Sequence, residues 1–395
     1  MKRVRTNEMT VNSRKCSKKQ DESDETHQFP ILPLDLILEI LLKVPGRSLA
    51  RFIIVSKQWL LIIRGKDFTK LYLTQSWTRP RLLFTSVYRN LGQSKLFLQS
   101  CSQQDPSSAH HRLNISMHPF HMYGFTPPVR GLICRQTDTI VMIGNPSTGQ
   151  FLTLPRVKTI RRGLFSLFGY DPLNDVYKVL CMTVLRGHQN RGSRYVSEEH
   201  QVFTLGAKQK WRMLVCKYRH LPPPFTKGLC INGVLYYYAW IQNEGSLISF
   251  DLNSEDFNVI KLPQDIPCLV NYNGKIALTR QYSKLGPLYL WILEDARKQE
   301  WSKVSIVVPS WTDLVGNIFF MFRATIVLFF FRGTLSTGEL IFAPVREINP
   351  VYLISYDLKE DNAKQVEVGG GLVAGQNLSL IVYLNHVESP MFLSK

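Results

Sequence analysis

Three absences narrow what this 395-residue chain can be. Its seven cysteines (Cys16, Cys101, Cys134, Cys181, Cys216, Cys230 and Cys268) are scattered, with no two inside a CxxC spacing. That excludes a zinc knuckle or a redox pair, and an odd count excludes a complete disulfide framework. Buried, reduced thiols in a nuclear or cytoplasmic chain are the expectation. A clean membrane-length apolar run is also missing. The longest candidate, Ile318–Phe331 (IFFMFRATIVLFFF), is interrupted by Arg323 and falls short of the roughly 18–20 residues of a spanning helix. Its β-branched and aromatic content predicts buried strands. Signatures of catalysis are absent too: no GxSxG elbow, no phosphate loop, no HExxH. His110, His111, His118 and His121 gather in one loop, but their spacing matches no common ligand set. Glu198-Glu199-His200 are consecutive and cannot converge on one reacting atom, so a surface loop is expected there. No catalytic residue, metal or cofactor is expected.

What is present is a basic, apolar chain. Lys and Arg number 48 against 30 Asp and Glu, giving +18, and 45% of residues are hydrophobic and 11% aromatic. This much apolar content excludes a mainly disordered protein, and 24 Gly and 21 Pro exclude a fibrous one. Residues 1–29 mix seven basic and five acidic side chains without an apolar run. A disordered tail with no secretory leader is expected. Its Arg14, Lys15, Lys18 and Lys19 suit either a nuclear import signal or a solvated tail.

Residues 30–75 differ from everything that follows. Leu34, Ile37, Leu38, Leu41 and Leu42 recur at helical spacing, and Leu36 and Ile40 extend the apolar surface almost all round. Pro33 suits the first turn, Pro45 stops the helix and Ser48 is placed to cap the next one. Two or three short helices are predicted, and so small a unit cannot bury all these side chains internally. Either the rest of the chain or an external partner must cover them.

The residues Leu32-Pro33, Asp35-Leu36, Glu39-Ile40-Leu41, Pro45, Ser48-Leu49, Arg51, Val55, Lys57 and Trp59 closely resemble the F-box. Membership of that family implies docking on the Skp adaptor of a cullin-RING ubiquitin ligase. It points to Leu32, Pro33, Leu36, Ile37, Ile40, Leu41, Pro45, Leu49, Val55 and Trp59 as the adaptor-binding residues. Phe52-Ile53-Ile54 is more apolar than the family's usual segment.

From residue 80 to about 385 the pattern becomes short strands and turns. Asn145-Pro146-Ser147-Thr148-Gly149 leads to Leu154-Pro155, Asp251–Glu255 to Leu262-Pro263, and Asp357–Asn362 to Val366. Two further copies place Trp211 and Trp301 after the turn. Turns near 146, 207, 254, 296 and 360 fit a propeller of about six four-stranded blades, with a pair of β-sandwiches as the alternative. The fold class is thus α+β and multidomain: a short helical module, then an all-β domain. GLIC, NPSTGQFLTLP, FGYDPLNDVYKVL and ISFDLNSEDFNVIKLP, in this order, resemble the plant F-box-associated domain of the third, kelch-like type. Against that family, Asn317–Arg332 is long and predicts an insertion that spoils one blade.

Charge is uneven. Residues 156–227 hold fourteen Lys and Arg against four Asp and Glu, whereas 228–395 hold thirteen against sixteen. Arg161, Arg162, Arg186, Arg191 and Arg194 fall in predicted loops as candidate target-binding residues, compatible with an acidic or phosphorylated target, a solvated face or nucleic acid. With the resemblance, the expected function is a non-catalytic substrate receptor of a Skp-cullin-F-box ligase, binding Skp (and through it cullin) and an unknown target protein. A basic phospholigand or nucleic-acid binding protein that retains an F-box is the alternative. No membrane partner is expected.

Overall fold

Alternating apolar side chains give each short strand two faces to bury, and the β region buries both by stacking sheet against sheet around a ring. The computed structural model describes residues 32–90, 93–108, 111–117, 125–137, 140–159, 163–184, 197–206, 210–220, 222, 227–266, 268–280, 287–321, 328–346, 350–369 and 379–393. Six antiparallel sheets follow one another. The first blade is β1 (Arg81–Asn90), β2 (Gln93–Ser102) and β3 (His111–Met117), completed by the last strand of the chain, β23 (Ser379–His386), which pairs with β1. The second is β4 (Ile133–Thr137), β5 (Ile140–Asn145) and β6 (Gln150–Thr153), with Phe125 bridging to Arg135. The third is β7 (Gly163–Asp171), β8 (Val176–Val184), β9 (Ser197–Thr204) and β10 (Arg212–Leu214). The fourth is β11 (Leu229–Ile231), β12 (Val234–Ile241), β13 (Glu244–Asp251) and β14 (Phe257–Lys261). The fifth is β15 (Cys268–Tyr272), β16 (Lys275–Thr279), β17 (Leu288–Asp295) and β18 (Glu300–Ile306). The sixth is β19 (Phe329–Thr334), β20 (Leu340–Pro344), β21 (Val351–Asp357) and β22 (Asn362–Val368). Contacts of β4 with β7, β7 with β11, β11 with β15, β15 with β19 and β19 with β23 gather the first strands around the axis.

The core is a ring of separate inter-blade layers. Leu83, Leu98 and Ile133 pack between blades one and two, while Leu82 and Phe84, on the other face of β1, pack with Leu353 and Leu380 between blades six and one. Period-two alternation therefore assigns each strand to two layers. The turns repeat one device. Asn145, Asp171, Asp251, Asp295 and Asp357 each accept, through one side-chain oxygen, the backbone N–H groups two and three residues on, which helps close the turn; the positive-φ position that follows is glycine only in the first, at Gly149. The Leu-Pro and Trp elements also pair: Trp211 Nε1 donates to Pro155 O at 2.6 Å and Trp301 Nε1 to Lys261 O at 3.0 Å. In both cases the last strand of one blade is fastened to the end of the blade before it. Between blades three and four, the buried Lys178 ammonium lies 2.9 Å from Glu255 and 3.7 Å from Asp171, and Arg212 closes on Glu255 at 2.6 Å.

The apolar stretch expected as strands starts inside a helix, α5 (Trp311–Met321), and only its end forms β19. After β18, the last strand of blade five, the chain must cross to blade six. Asp313 and Leu314 donate to Ser310 O and start the helix, and Trp311, Leu314 and Val315 cover the layer between blades five and six. Tertiary context overrides β-propensity here. Blade six keeps four strands, so the expected insertion spoils no blade. Glu198-Glu199-His200 is likewise not a surface loop: it lies in β9, with His200 only 2% exposed and Glu199 accepting from Thr159 and Thr183.

The helical module holds four helices where two or three were expected: α1 (Leu34–Lys43), α2 (Gly46–Phe52), α3 (Lys57–Arg64) and α4 (Lys66–Trp77). Ser48 lies inside α2, whose N-cap is Pro45, because the helix starts as soon as the proline fixes φ. The capping serine is Ser56, which accepts from Trp59 N at 3.1 Å. The module is strapped to the propeller by residues beyond β23. Glu388 accepts from Gly46 N at 3.0 Å and from the Tyr72 hydroxyl at 3.3 Å, with Arg81 at 3.8 Å. Burial, then the Glu388 charge, pushes the Tyr72 phenol far up. Asn145 Nδ2 donates to Ser389 O and Met391 O, Phe392 joins the module's own core, and Arg64 lies over the Phe392 ring. A Cβ on Gly46 would come within 2.9 Å of the Ser147 Cβ, so the approach of α2 to the second blade needs glycine.

Three outcomes follow from these contacts. Trp301→Phe removes the indole donor to Lys261 and lowers stability by about 1 kcal/mol in urea unfolding. Glu388→Ala strands the Gly46 amide and the Tyr72 hydroxyl; amide exchange in α1–α4 should accelerate while that of blades four and five is unchanged. His386 is buried, which pushes its imidazole from 6.5 down to about 3. As pH falls through that window the unfolded chain takes a proton at this position that the folded chain refuses, so stability is lost toward acid. His386→Gln should flatten the fall of thermal midpoint below about pH 6.5 relative to the parent.

Candidate functional site

The apolar excess of the helical module divides into two faces. Ile37 and Leu41, one turn apart on α1, pack with Leu49, Ile63, Phe68 and Tyr72 in the module's core. Leu36 and Ile40 form an i, i+4 pair on another side of α1, with Leu32 two residues before the helix; the three remain 49%, 47% and 45% exposed, although the propeller is strapped beside them. Leu34 is also exposed, as are Ile54 and Val55 after α2 and Leu61 on α3. Arg79 donates to Leu42 O and Lys43 O, satisfying the carbonyl end of α1. Lys43 pairs with Glu39 at 2.7 Å and holds that carboxyl below its ordinary value. Leu36 and Ile40 therefore form an apolar ridge on a capped helix, left uncovered by the rest of the described chain.

The ten residues singled out for adaptor binding split along the same line. Leu32, Pro33, Leu36, Ile40, Pro45 and Val55 are exposed. Trp59 is half-buried, edge-on to Phe52 at 5.2 Å between ring centroids. Ile37, Leu41 and Leu49 are sealed inside the module, so they set its shape and are not available to a partner in this conformation. Leu34, Ile54 and Leu61 were not singled out, because a helix apolar on every side does not reveal in sequence which side its own neighbours take.

The five candidate target-binding residues Arg161, Arg162, Arg186, Arg191 and Arg194 lie outside the described residues, as do His110, His118 and His121 of the histidine cluster. His111 opens β3, with its Nε2 4.0 Å from Glu388. Of the basic residues described in 156–227, Arg156, Lys158, Lys210, Lys217 and Arg219 are exposed, whereas Lys178 is buried and Arg212 is committed to Glu255. The fold also assembles a group that no motif announced: His200, Cys216 and His220, whose donor atoms all lie within 4.8 Å of one another. The Cys216-x3-His220 spacing was its one sequence signal; His200 joins only through the fold. Burial pushes the His200 imidazole down to about 3 and His220 below its ordinary value, and it pushes the Cys216 thiol up.

Comparison with known proteins agrees with this two-part architecture. The F-box domain family matches residues 29–71 and the F-box associated beta propeller domain family residues 81–387. An F-box/kelch-repeat protein of Arabidopsis thaliana is 48% identical over 98% of this chain and 100% of its own length. The F-box protein DOR of Arabidopsis thaliana is 35% identical over 91% of this chain and 93% of its own. Among solved structures, TolB from Acinetobacter baumannii gives a TM-score of 0.44 at 10% identity over 81% of this chain and 70% of that one, too slight a likeness to bear on function. The chain belongs to the plant F-box proteins that carry an F-box associated β-propeller domain.

Proposed function

We propose that the chain is the substrate-recognition subunit of a Skp-cullin-F-box ubiquitin ligase. The observation that carries this reading is the exposed ridge of Leu36 and Ile40 on α1, with the exposed Leu32 just before the helix. A helix with one apolar face in its own core and another in water is the form expected of a docking element for a partner helix or groove. Leu34, Val55, Pro33 and Pro45 are exposed as well, and the partner of the ridge is the Skp adaptor, through which the chain reaches cullin. The propeller then holds a target protein, and residence in the nucleus, the cytoplasm or both suits this role. The chain supplies binding surfaces, and transfer of ubiquitin takes place on other subunits. Its contribution to rate is proximity: two binding surfaces on one chain raise the local concentration of target near the ubiquitin donor. The Glu388 and Phe392 strap supports this by fixing one surface relative to the other.

Leu36→Asp and Ile40→Asp each place a charge in the ridge without entering the module's core. Each should weaken binding to a purified Skp adaptor at least about tenfold, or about 1.4 kcal/mol, with the thermal midpoint unchanged. Ile37→Asp, in contrast, should unfold the module. Full adaptor binding by both surface variants would falsify the reading.

A further inference from the structure

His200 sits within β9, while Cys216 and His220 lie on the crossover from β10 to the fourth blade. The two imidazoles are 2% and 1% exposed and their ring centroids are 5.0 Å apart. Cys216 Sγ is 4.0 Å from His220 Nδ1. Phe257 stands edge-on to His200 at 5.1 Å, and Tyr237 of β12 closes the other side. Two imidazoles and a thiol converge in one enclosure, whose one half-exposed member is Cys216.

We propose that His200, Cys216 and His220 bind a Zn2+ ion that pins the crossover between the third and fourth blades. Zn–S and Zn–N bonds of about 2.3 and about 2.0–2.1 Å in a tetrahedron put donor atoms about 3.3–3.7 Å apart. The 4.0 Å and 4.8 Å separations close onto an ion with side-chain shifts of about an ångström. A set of two nitrogens and one sulfur suits zinc, and the lack of carboxylate oxygens disfavours calcium or magnesium.

The surrounding groups are arranged as a second layer. His220 Nδ1 lies 2.9 Å from Tyr218 O and Nε2 lies 2.7 Å from the Tyr237 hydroxyl. When the ion takes Nδ1, the ring proton moves to Nε2, and Tyr237 turns its hydroxyl to accept from it, which fixes the ring orientation. The Cys216 thiol, now donating to Tyr218 O at 3.2 Å, loses its proton to solvent as the Zn–S bond forms. Water from the Cys216 side or the freed Tyr218 carbonyl completes the fourth position. The bound ion would hold Val215 and Tyr218, both exposed on the same crossover, in a fixed surface arrangement.

Cobalt exchanged into the full-length chain reads the site directly. About one equivalent per chain is expected, with a thiolate-to-cobalt charge-transfer band in the near ultraviolet and intense tetrahedral bands in the visible. Cys216→Ser should abolish the charge-transfer band, while Cys230→Ser leaves it intact. Chelation should lower the thermal midpoint of the parent and leave that of Cys216→Ser unmoved. Absence of the charge-transfer band in the parent chain, or its survival in Cys216→Ser, overturns the proposal and leaves the three side chains as a hydrogen-bonded packing cluster.

Discussion

Strand β23 pairs with β1 from the far end of the chain, from Val87 opposite Ser379 to Arg81 opposite His386. The layer between blades six and one depends on this pairing. Without it the layer holding Leu82, Phe84, Leu353 and Leu380 would open to water, and the ring would become an arc with two exposed apolar faces. The entropy of bringing the ends together grows only slowly with loop length, so closure is affordable, but such non-local contacts make the fold slow to form. The same stretch of chain continues into Glu388 and Phe392 and seats the helical module. One extended segment therefore closes the propeller and orients the F-box.

Much of the β architecture was legible because it is local. A polar turn followed by Leu-Pro or by Trp is a pattern read within one short segment, and the structure gives its members hydrogen bonds: Asp251 to its own turn, Trp301 to Lys261. The failures lie where tertiary contacts decide. Ile318–Met321 has strand composition yet continues a helix, because the chain must cross from one blade to the next. His200 looked like part of a loop until β8 and β10 enclosed its strand. The F-box motif announced a partner, but only packing could separate Leu36, which faces water, from Ile37, which does not.

The charge that dominated the sequence takes a different form in the structure. Lys178 and Arg212 come from the most basic stretch, yet both are engaged by Glu255 across blades three and four. They belong to the framework, whereas Lys210, Lys217 and Arg219 of the same stretch are exposed. The F-box ridge carries the functional reading because its exposure has no structural use within the described chain.

The strap follows directly on the strand that closes the ring, which couples two otherwise separate events. The helices of the F-box hold their own small core, whereas Glu388, which seats them, lies 342 residues beyond Gly46. A register slip of β23 on β1 would move the seat of the helices together with the ring closure, so one pairing error would misplace both.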